Sequence, residues 1–373
     1  MTRTVAYFGT YDPSYPRNAV LLAGLRARGV EVLEVHASLP PLDAATLAGP
    51  AGAARLAAGA AAAYVRLALQ HRRRFSPEAL VVGYPGHLAM PYARLVAAGR
   101  RARLVFDPLV SLAETFVGDR GLVRHGSPAA VVAAAVDKVA FAAAQLVLAD
   151  TWAHASYYQR VFGLERARVA VVPVGALPVE GADGRARPVA PERPLTVVQY
   201  GKWSPLHGAD TVLEAADRLR GEPLRFVLAG EGQLSAELRA TIRRRRLENV
   251  DWLGMRAHDE LRRLLLESDV CLGVFGRSEK AGRVVPNKVY DGLACGRPVV
   301  TAATPGAREL LHDGEDALLV PPGDAAALAA ALRRLLDEGE RGRLGAAALA
   351  VYRRACTPEA VAGRLLDVLE GSS

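Results

Sequence analysis

A βα junction in the second half of the chain decides the fold. It spans residues 195–208 and reads LTVVQYGKWSPLHG. The apolar, β-branched start of this stretch predicts a buried strand, and the glycine- and proline-marked part predicts a loop. A helix is expected to begin near Ala209. A strand that leads through a short loop into a helix is the repeating unit of parallel α/β sheets.

The same rhythm of short β-branched runs and longer amphipathic stretches extends in both directions. In the first half we predict strands at residues 5–8, 30–35, 79–82, 103–106, 146–148 and 170–173. In the second half we predict them at residues 195–200, 225–229, 250–253, 270–274, 298–301 and 318–320. Alternation of this kind predicts an α/β protein with two Rossmann-like, doubly wound parallel sheets that face each other across a cleft.

The proline-rich residues 177–194 lack periodicity and predict a linker between two domains. We therefore predict two domains, an N-terminal one over residues 1–176 and a C-terminal one over residues 195–355. Residues 356–373 are predicted to form a C-terminal helix that packs back on the N-terminal domain.

Composition limits the classes of function. The chain has 373 residues, a net charge of +8 and three cysteines without a CxxC pair. That cysteine usage disfavours a disulfide framework or a structural zinc site and is typical of a reducing cytoplasm. No signal peptide is predicted, and the longest apolar stretch, residues 128–149, is interrupted by Asp137 and Lys138. We predict it to be a buried helix that leads into a strand, not a membrane span.

The loop after the first strand of the second half carries Gly201, Lys202 and His207. Glycine lets a ligand approach the backbone closely, and the N–H groups at a helix start favour an anion. A lysine and a histidine on such a loop are suited to hold a pyrophosphate, each charged contact contributing roughly 1.5–3 kcal/mol. The alternative is a plain βα turn.

Two further segments point to the same ligand. Gly230-Glu231-Gly232 forms a second glycine turn after a strand, but the rest of a dinucleotide fingerprint is missing, so a nicotinamide dehydrogenase is not supported. Asn287 is predicted to cap a helix over residues 288–294. On that helix Asp291 is placed to accept the hydroxyls of a ribose, and Lys288 to contact a diphosphate. The alternative is a capped helix with a solvated aspartate.

Residues 195–354 resemble the donor-binding domain of family 4 glycosyltransferases, which have the GT-B fold. The family pattern combines a glycine–basic loop, a G-x-G turn, and an E-x7-E pair that runs into a helix ending in A-x-G-x-P-V-V. The matching residues are Gly201-Lys202, residues 230–232, and residues 291–300, DGLACGRPVV. The resemblance implies that Lys202 and a loop cation bind the donor phosphates and that Asp291 binds the ribose.

The chain departs from this family pattern in ways that affect the site. His207 replaces the loop lysine, and Asp291 replaces the ribose-binding glutamate. Arg283 stands where the glutamate that contacts the transferred sugar is expected. Glu279 is a candidate substitute for it, and Lys280 and Arg283 with the loop amides are another. Recognition of the base is assigned to the backbone around Leu253.

The resemblance assigns acceptor binding to the first half of the chain, where loops follow three of the predicted strands. Gly9 is assigned to the donor side and Tyr11, Arg17 and Asn18 to the acceptor, with the donor phosphates as the alternative for Arg17 and Asn18. His87 and Asp107 follow later strands, and which of the two approaches the reacting hydroxyl is left open.

The resemblance implies a retaining glycosyltransferase that moves a sugar, of the hexosyl kind, from a nucleotide diphosphate to a hydroxyl of a glycan, lipid or natural product. The chain contains no Asp-x-Asp pair, so a metal-clamped mechanism is disfavoured, and neither a metal nor a resident cofactor is expected. A nucleotide-sugar epimerase of the same fold and a non-catalytic nucleotide-sugar-binding protein are the alternatives. The expected partners are the nucleotide sugar and its acceptor, not nucleic acid. The expected location is the cytoplasm, with contact to the inner membrane surface as a second option.

Overall fold

The computed structural model describes residues 3–38, 49–71, 76–119, 123–190 and 192–371. The chain divides into two compact units. Unit 1 comprises residues 1–150, 154–173 and 358–373, and unit 2 comprises residues 151–153 and 174–357.

Unit 1 is built on a six-stranded parallel sheet whose order is β2-β1-β3-β4-β5-β6. Its strands are β1 Thr4–Gly9, β2 Glu31–His36, β3 Ala79–Val82, β4 Arg103–Phe106, β5 Leu146–Ala149 and β6 Val169–Val171. The central strands β3 and β5 are buried at every residue, which is why they read as continuous apolar runs instead of alternating ones.

Helices cover this sheet and bury a core of aliphatic and aromatic side chains. They are α1 Pro16–Ala27, α2 Gly49–His71, α3 Met90–Arg100, α4 Pro128–Ala143, α5 Trp152–Phe162 and the C-terminal α14 Pro358–Glu370. Short 3₁₀ turns span Gly86–Ala89 and Arg166–Arg168, and a π-helical turn spans Glu114–Asp119.

Helix α14 packs against α1 within unit 1. Gly24 of α1 permits this contact, because a Cβ atom there would lie 1.9 Å from the Pro358 carbonyl oxygen. Arg28 donates from Nε to the Glu359 carbonyl at 2.6 Å. The end of the chain thus completes the unit formed by its beginning.

Helix α4 differs from the sequence-based expectation of a buried helix. Its alanines and valines leave one face to solvent, with Val131 and Val132 each 62% exposed and Val139 53% exposed. Only the opposite face, which includes Ala140 and Phe141, is buried. No helix among the described residues is long and apolar enough to cross a membrane.

Unit 2 repeats the architecture with a six-stranded parallel sheet of order β12-β11-β10-β7-β8-β9. Its strands are β7 Leu195–Tyr200, β8 Leu224–Ala229, β9 Val250–Gly254, β10 Val270–Leu272, β11 Val299–Ala302 and β12 Leu318–Val320. Strand order runs outward in one direction from β7 and in the other from β10. The crevice between the loops after β7 and β10 is therefore the switch point at which such sheets bind ligands.

The helices of unit 2 pack over a second, separate core. They are α6 Ala209–Arg218, α7 Ser235–Arg245, α8 His258–Glu267, α9 Glu279–Arg283, α10 Asn287–Ala294, α11 Pro305–Arg308, α12 Ala325–Arg334 and α13 Glu338–Val351, followed by a π-helical turn at Tyr352–Cys356.

Helix α12 ends at Arg334, and Asp337 caps α13 by accepting from the Glu340 N–H at 2.7 Å. One local expectation for these helices is corrected. Asn287 is the first residue of α10 and not its cap. The cap position is held by Pro286, which has no side chain able to accept a hydrogen bond.

The segment predicted as a linker, residues 177–194, contains no helix or strand in its described part and belongs to unit 2. Arginine side chains attach it there. Arg187 donates to the Ser268 carbonyl at 2.8 Å, Arg193 pairs with Asp269 at 2.7 Å, and Arg341 donates to the Arg187 carbonyl at 2.7 Å.

Candidate functional site

Two loops of unit 2 meet at the switch point of its sheet. The loop after β7 and the loop after β10 bond directly, because the Phe275 N–H donates to the His207 carbonyl at 3.1 Å and the Gly276 N–H to the Leu206 carbonyl at 3.2 Å. The buried Gln199 amide donates to the carbonyls of both His207 and Gly273, at 3.1 and 2.9 Å. These bonds hold the loops in a fixed arrangement.

Gly201 lies where two basic side chains converge. A Cβ atom at Gly201 would lie 2.3 Å from Nε2 of His207 and 3.3 Å from Nζ of Lys288. Its φ of +154° lies outside the range that other residues favour. The missing side chain therefore leaves room in which an imidazole and an ammonium approach one stretch of backbone.

His207 is oriented by the residue that caps its own turn. The imidazole Nδ1 lies 3.3 Å from the Ser204 backbone N–H and accepts from it. A ring nitrogen that accepts carries no hydrogen, so the neutral ring is the tautomer with its hydrogen on Nε2. His207 therefore presents an N–H donor toward Gly201 even without a charge.

Lys288 and Asp291 lie one turn apart on α10, and both are buried. Tyr200, the last residue of β7, links them: its hydroxyl donates to the Asp291 carboxylate, and Nζ of Lys288 lies 5.6 Å from the centre of its ring. Burial, and next the Asp291 carboxylate, raise the pKa of Tyr200 well above its ordinary value. The hydroxyl therefore stays protonated and continues to donate.

Lys202 follows Gly201 directly, and its side chain is exposed. The site thus combines one exposed ammonium, one buried ammonium and an imidazole N–H at the carboxyl end of β7. A preorganised group of donors and cations of this kind stabilises negative charge, and a phosphate or diphosphate is the ligand it suits best.

The second glycine turn packs against the first loop. Gly230 would place a Cβ atom 1.9 Å from the Gly201 carbonyl oxygen, and Gly232 would place one 2.4 Å from the Trp203 backbone nitrogen. The buried Trp203 donates from its indole to the Gly230 carbonyl at 2.9 Å. The two glycines therefore allow close backbone packing, and this turn supports the loop that carries Lys202.

Glu231 contacts one aromatic side chain, that of Trp252, and one cationic side chain, that of Arg239. Its carboxylate accepts from the Trp252 indole at 3.2 Å and pairs with Arg239 at 3.3 Å, and Arg239 lies over the Trp252 ring at 5.4 Å. Hydrogen bonds from Ser235 and then Trp252 lower the pKa of Glu231. Leu253, the residue after Trp252 on β9, is half-buried.

Glu279 and Arg283 form a separate pair on α9, 3.0 Å apart. The Glu279 side chain is 88% exposed, whereas that of Arg283 is 11% exposed. Glu279, the carboxylate proposed as a substitute, therefore lies on the short helix that follows β10. It contacts Arg283, the residue that stands where the family pattern has a glutamate.

In unit 1, the two predicted site residues Arg17 and Asp107 pair with each other. Nε of Arg17 lies 2.7 Å from Asp107, and its guanidinium also donates to the carbonyls of Val172 and Pro173. Both side chains are about 1% exposed. The contact fastens the start of α1 to the carboxyl ends of β4 and β6, and Arg17 is buried within the unit.

Asn18 and Tyr11 are engaged in a similar way. The Asn18 amide donates to the carbonyls of Asp12 at 2.7 Å and Tyr84 at 2.6 Å, and accepts from the Tyr7 hydroxyl at 2.9 Å. The buried Tyr11 donates to Glu34 at 2.7 Å. These residues hold the loops after β1 and β3, where Gly9 ends β1 with a φ of +114°.

His87 is buried, and its Nε2 lies 3.0 Å from the Val110 carbonyl and 3.5 Å from Asp137. Burial lowers the pKa of His87, while Asp137 raises it, and the net direction is downward. Asp137 itself accepts from Ser111 and from the backbone of Leu112. The structure therefore places His87 and Asp107 in two different buried networks.

The structure thus brings together Gly201, His207, Lys288 and Asp291, with Lys202 on the same loop and the Gly230–Gly232 turn packed against it. The pair of Glu279 and Arg283 and the candidates of unit 1 form separate groups. Sequence reasoning missed Tyr200 and Gln199, which tie the first of these groups into one site. Both lie in the quoted strand, but their partners are up to 91 positions away in the chain, and no local pattern reveals such a contact.

Comparison with known proteins agrees with this architecture. Residues 194–338 match the family model described as glycosyl transferases group 1. A D-inositol 3-phosphate glycosyltransferase from Acidothermus cellulolyticus is 33% identical over 226 residues, which cover 56% of this chain and 49% of that protein. A putative colanic acid biosynthesis glycosyl transferase, WcaI of Escherichia coli, is 34% identical over 113 residues, covering 30% of this chain and 28% of that protein. The chain therefore spans about half or less of the length of these relatives.

Among solved structures, Anabaena Alr3699/HepE in complex with UDP superposes with a TM-score of 0.67 at 17% identity, covering 99% of this chain and 100% of that chain. Identity at this level shows the fold, which is GT-B with two Rossmann-like units. Residues 194–338 of the chain are therefore similar to the group 1 glycosyltransferases.

Proposed function

We propose that the chain is a glycosyltransferase whose unit 2 binds a nucleotide-diphosphate sugar. One observation carries the proposal: His207 Nε2 and Lys288 Nζ converge on Gly201 at the switch point of the sheet. The family match over the same residues supports it. UDP is the first nucleotide to test, because the HepE structure contains it.

In this proposal the diphosphate lies against the loop after β7. Lys288 and the exposed Lys202 supply positive charge, and His207 supplies an N–H donor. Asp291, held by Tyr200, is the carboxylate assigned to the ribose hydroxyls. The turn with Gly230 and the residues near Leu253 are assigned to the rest of the nucleotide.

We further propose that transfer retains the anomeric configuration. The bond from the anomeric carbon to the diphosphate oxygen breaks while the acceptor oxygen bonds to the same face of that carbon. The acceptor proton passes to the departing diphosphate, so no protein nucleophile is required. The contribution of the protein is then to stabilise the charge that develops on the diphosphate, and donors fixed before the reaction do this without reorganisation.

Metal independence is part of the proposal and rests on the donor set. The described residues contain no group of three or more His, Cys, Asp or Glu side chains suited to hold an ion, and the site offers ammonium and imidazole groups to the phosphates. Transfer that persists unchanged in EDTA would support this part, and transfer restored only by Mg²⁺ or Mn²⁺ would overturn it.

The experiment that tests the function compares donor alone with donor plus acceptor. Each nucleotide sugar is incubated with the protein, with and without a panel of glycan, lipid and natural-product acceptors. A glycosylated acceptor with retained configuration by ¹H NMR supports the proposal. An isomerised nucleotide sugar from donor alone would identify an epimerase, and tight donor binding without product under every condition would identify a binding protein.

The acceptor side is assigned to unit 1 as part of the same proposal. Because Arg17, Asn18 and Tyr11 are buried and bonded within the unit, they are assigned to holding its loops in position. We propose a cytoplasmic location, where nucleotide sugars are supplied.

A further inference from the structure

Helix α4 of unit 1 carries an apolar stripe that no described residue covers. The stripe consists of Val131, Val132, Ala135, Val139 and Ala142, all exposed, and Lys138 is the one charged residue among them. On the adjacent helix α3, Leu95 is 70% exposed. A helix of a globular protein normally turns its polar face to water, so an apolar outward face indicates a contact surface.

A cation-lined cavity adjoins the C-terminal end of this stripe. It has a volume of about 330 Å³ and lies at the amino ends of β4 and β5, the opposite edge of the sheet from the loops described above. Its lining residues are Arg94, Ala97, Ala98, Arg101, Ala102, Arg103 and Gln145. Arg94 fixes its place next to α4 by donating to the Ala143 carbonyl at 2.9 Å.

The polar groups of the cavity are donors. Within the described part of the chain, Arg94, Arg101 and Arg103 form no ion pair, and the acceptors of Arg94 and Arg103 are neutral backbone carbonyls. Gln145 turns its carbonyl oxygen to the Leu104 N–H at 2.7 Å, so its NH₂ group is what remains for a ligand. Three positive charges and an amide donor without a carboxylate select an anion.

We propose that the stripe and the cavity together form a docking site for a membrane surface that contains anionic phospholipid. The cavity takes the phosphate of a lipid head group, and the valines of α4 lie among the acyl chains next to it. Apolar side chains flanked by arginines are the composition of peripheral membrane-binding surfaces, where both contributions add. The proposal does not depend on the glycosyl transfer proposed above.

Two other occupants are less well supported by the same residues. A soluble phosphate compound would use the cavity but would leave the valine stripe in water. A second copy of the chain would cover the stripe, but it would have to place acidic side chains opposite Arg94 and Arg101 at the same time. The membrane surface accounts for the apolar and the cationic part at once.

The first test measures co-sedimentation of the full chain with vesicles of phosphatidylcholine, with and without phosphatidylglycerol. We expect binding only to the anionic vesicles, weakened by added salt. The variant R94Q/R101Q should bind about 30-fold more weakly, at about fivefold for each arginine near a charged surface. The control R243Q/R244Q removes the same charge from an exposed helix end of unit 2 and should bind as the unmodified chain does. Equal losses in both variants would reduce the effect to net charge and overturn the proposal.

The second test addresses the stripe. V132E/V139E places carboxylates on exposed positions of α4, and glutamate is a good helix former, so folding by circular dichroism should be unchanged. This variant should lose vesicle binding, whereas V65E/L69E, made at exposed positions of α2, should keep it. A stripe variant that still binds vesicles would overturn the proposal.

Two further readouts identify the alternative occupants. If inorganic phosphate or pyrophosphate stabilises the chain but not R94Q/R101Q, and vesicles do not bind, the cavity serves a soluble ligand and the proposal fails. If V132E/V139E lowers the sedimentation coefficient of the protein but leaves vesicle binding unchanged, the stripe is an interface between copies of the chain and the proposal fails. Nucleotide binding should be the same in all these variants, so failure here leaves the donor-site proposal untouched.

Discussion

Replacing Lys288 by methionine separates donor binding from folding, because the ammonium is buried and its expected ligand is not part of the fold. The Lys288 side chain belongs to a residue that is 5% exposed, and Nζ lies 5.6 Å from the Tyr200 ring centre. Burying a cation is costly, and an apolar side chain of similar volume is often neutral or stabilising in its place. Loss of the cation–π contact offsets this by about 0.5–2 kcal/mol. Because Lys288 also has contacts within unit 2, the free energy of unfolding of Lys288→Met without ligand is measured first and serves as the reference for the ligand-induced shift.

Donor affinity should change much more. A hydrogen bond to a charged group contributes about 1.5–3 kcal/mol, so Lys288→Met should weaken binding of a nucleoside diphosphate about 10- to 150-fold. A ligand at one hundred times its Kd stabilises the folded state by about 2.7 kcal/mol. At about 2–4 °C per kcal/mol for a unit of this size, the unmodified chain should gain about 5–11 °C. The variant should gain about 1–6 °C at the same ligand concentration.

The assay is a thermal melt with and without UDP, followed by isothermal titration of the same samples. Lys138→Met, made at an exposed lysine of unit 1, removes the same charge and should leave the UDP-induced shift unchanged. If Lys288→Met binds the nucleotide as tightly as the unmodified chain does, the assignment of Lys288 to the donor phosphates is refuted.

Three other predictions concern stability. Gly230→Ala should destabilise unit 2 by at least about 2 kcal/mol in urea unfolding, because its Cβ would lie 1.9 Å from a backbone oxygen and its φ is +133°. The control Gly282→Ala has open space around the added Cβ and should be neutral or stabilising, so equal effects of the two substitutions would contradict this prediction. Asp107→Ala should lower the free energy of unfolding by about 3–5 kcal/mol, because it leaves the Arg17 guanidinium buried without its counter-charge. The double variant Asp107→Leu with Arg17→Met should lower it by less, and additive losses of stability in the double-mutant cycle would argue against the pair. Burial lowers the pKa of His87 below its ordinary 6.5, so the unfolded chain takes up the proton first, and the free energy of unfolding should fall as the pH drops below about 6.5. His87→Gln should flatten this part of the plot of stability against pH. An unchanged slope would contradict the assignment of this pH dependence to His87.

Strand positions were the most predictable part of the fold. Ala79–Val82, Arg103–Phe106 and Leu195–Tyr200 have the predicted bounds, because strands in these sheets are covered by helices and show as uninterrupted apolar runs. The motifs of unit 2 were also predictable, since glycines and loop cations that follow a strand in sequence lie at the same edge of a parallel sheet.

Side-chain partners and helix faces were harder to predict. Arg17 and Asn18 stand at the start of the helix after the first strand, and nothing in that position predicts that their side-chain partners come from distant segments. Helix α4 was expected to be buried because it consists almost only of alanine and valine. Without polar residues at helical spacing, nothing in the sequence distinguishes its exposed face from its buried one.

The most direct test of the central claim is an isothermal titration of the full chain, in EDTA, with UDP, GDP, dTDP, ADP and CMP, repeated for Asp291→Ala. The structure joins Asp291 to Tyr200 beside the convergence of His207 and Lys288, so one nucleoside diphosphate should bind and the variant should lose most of that affinity. If no nucleotide binds the unmodified chain, or if Asp291→Ala binds it equally well, unit 2 does not bind the donor in the way we propose.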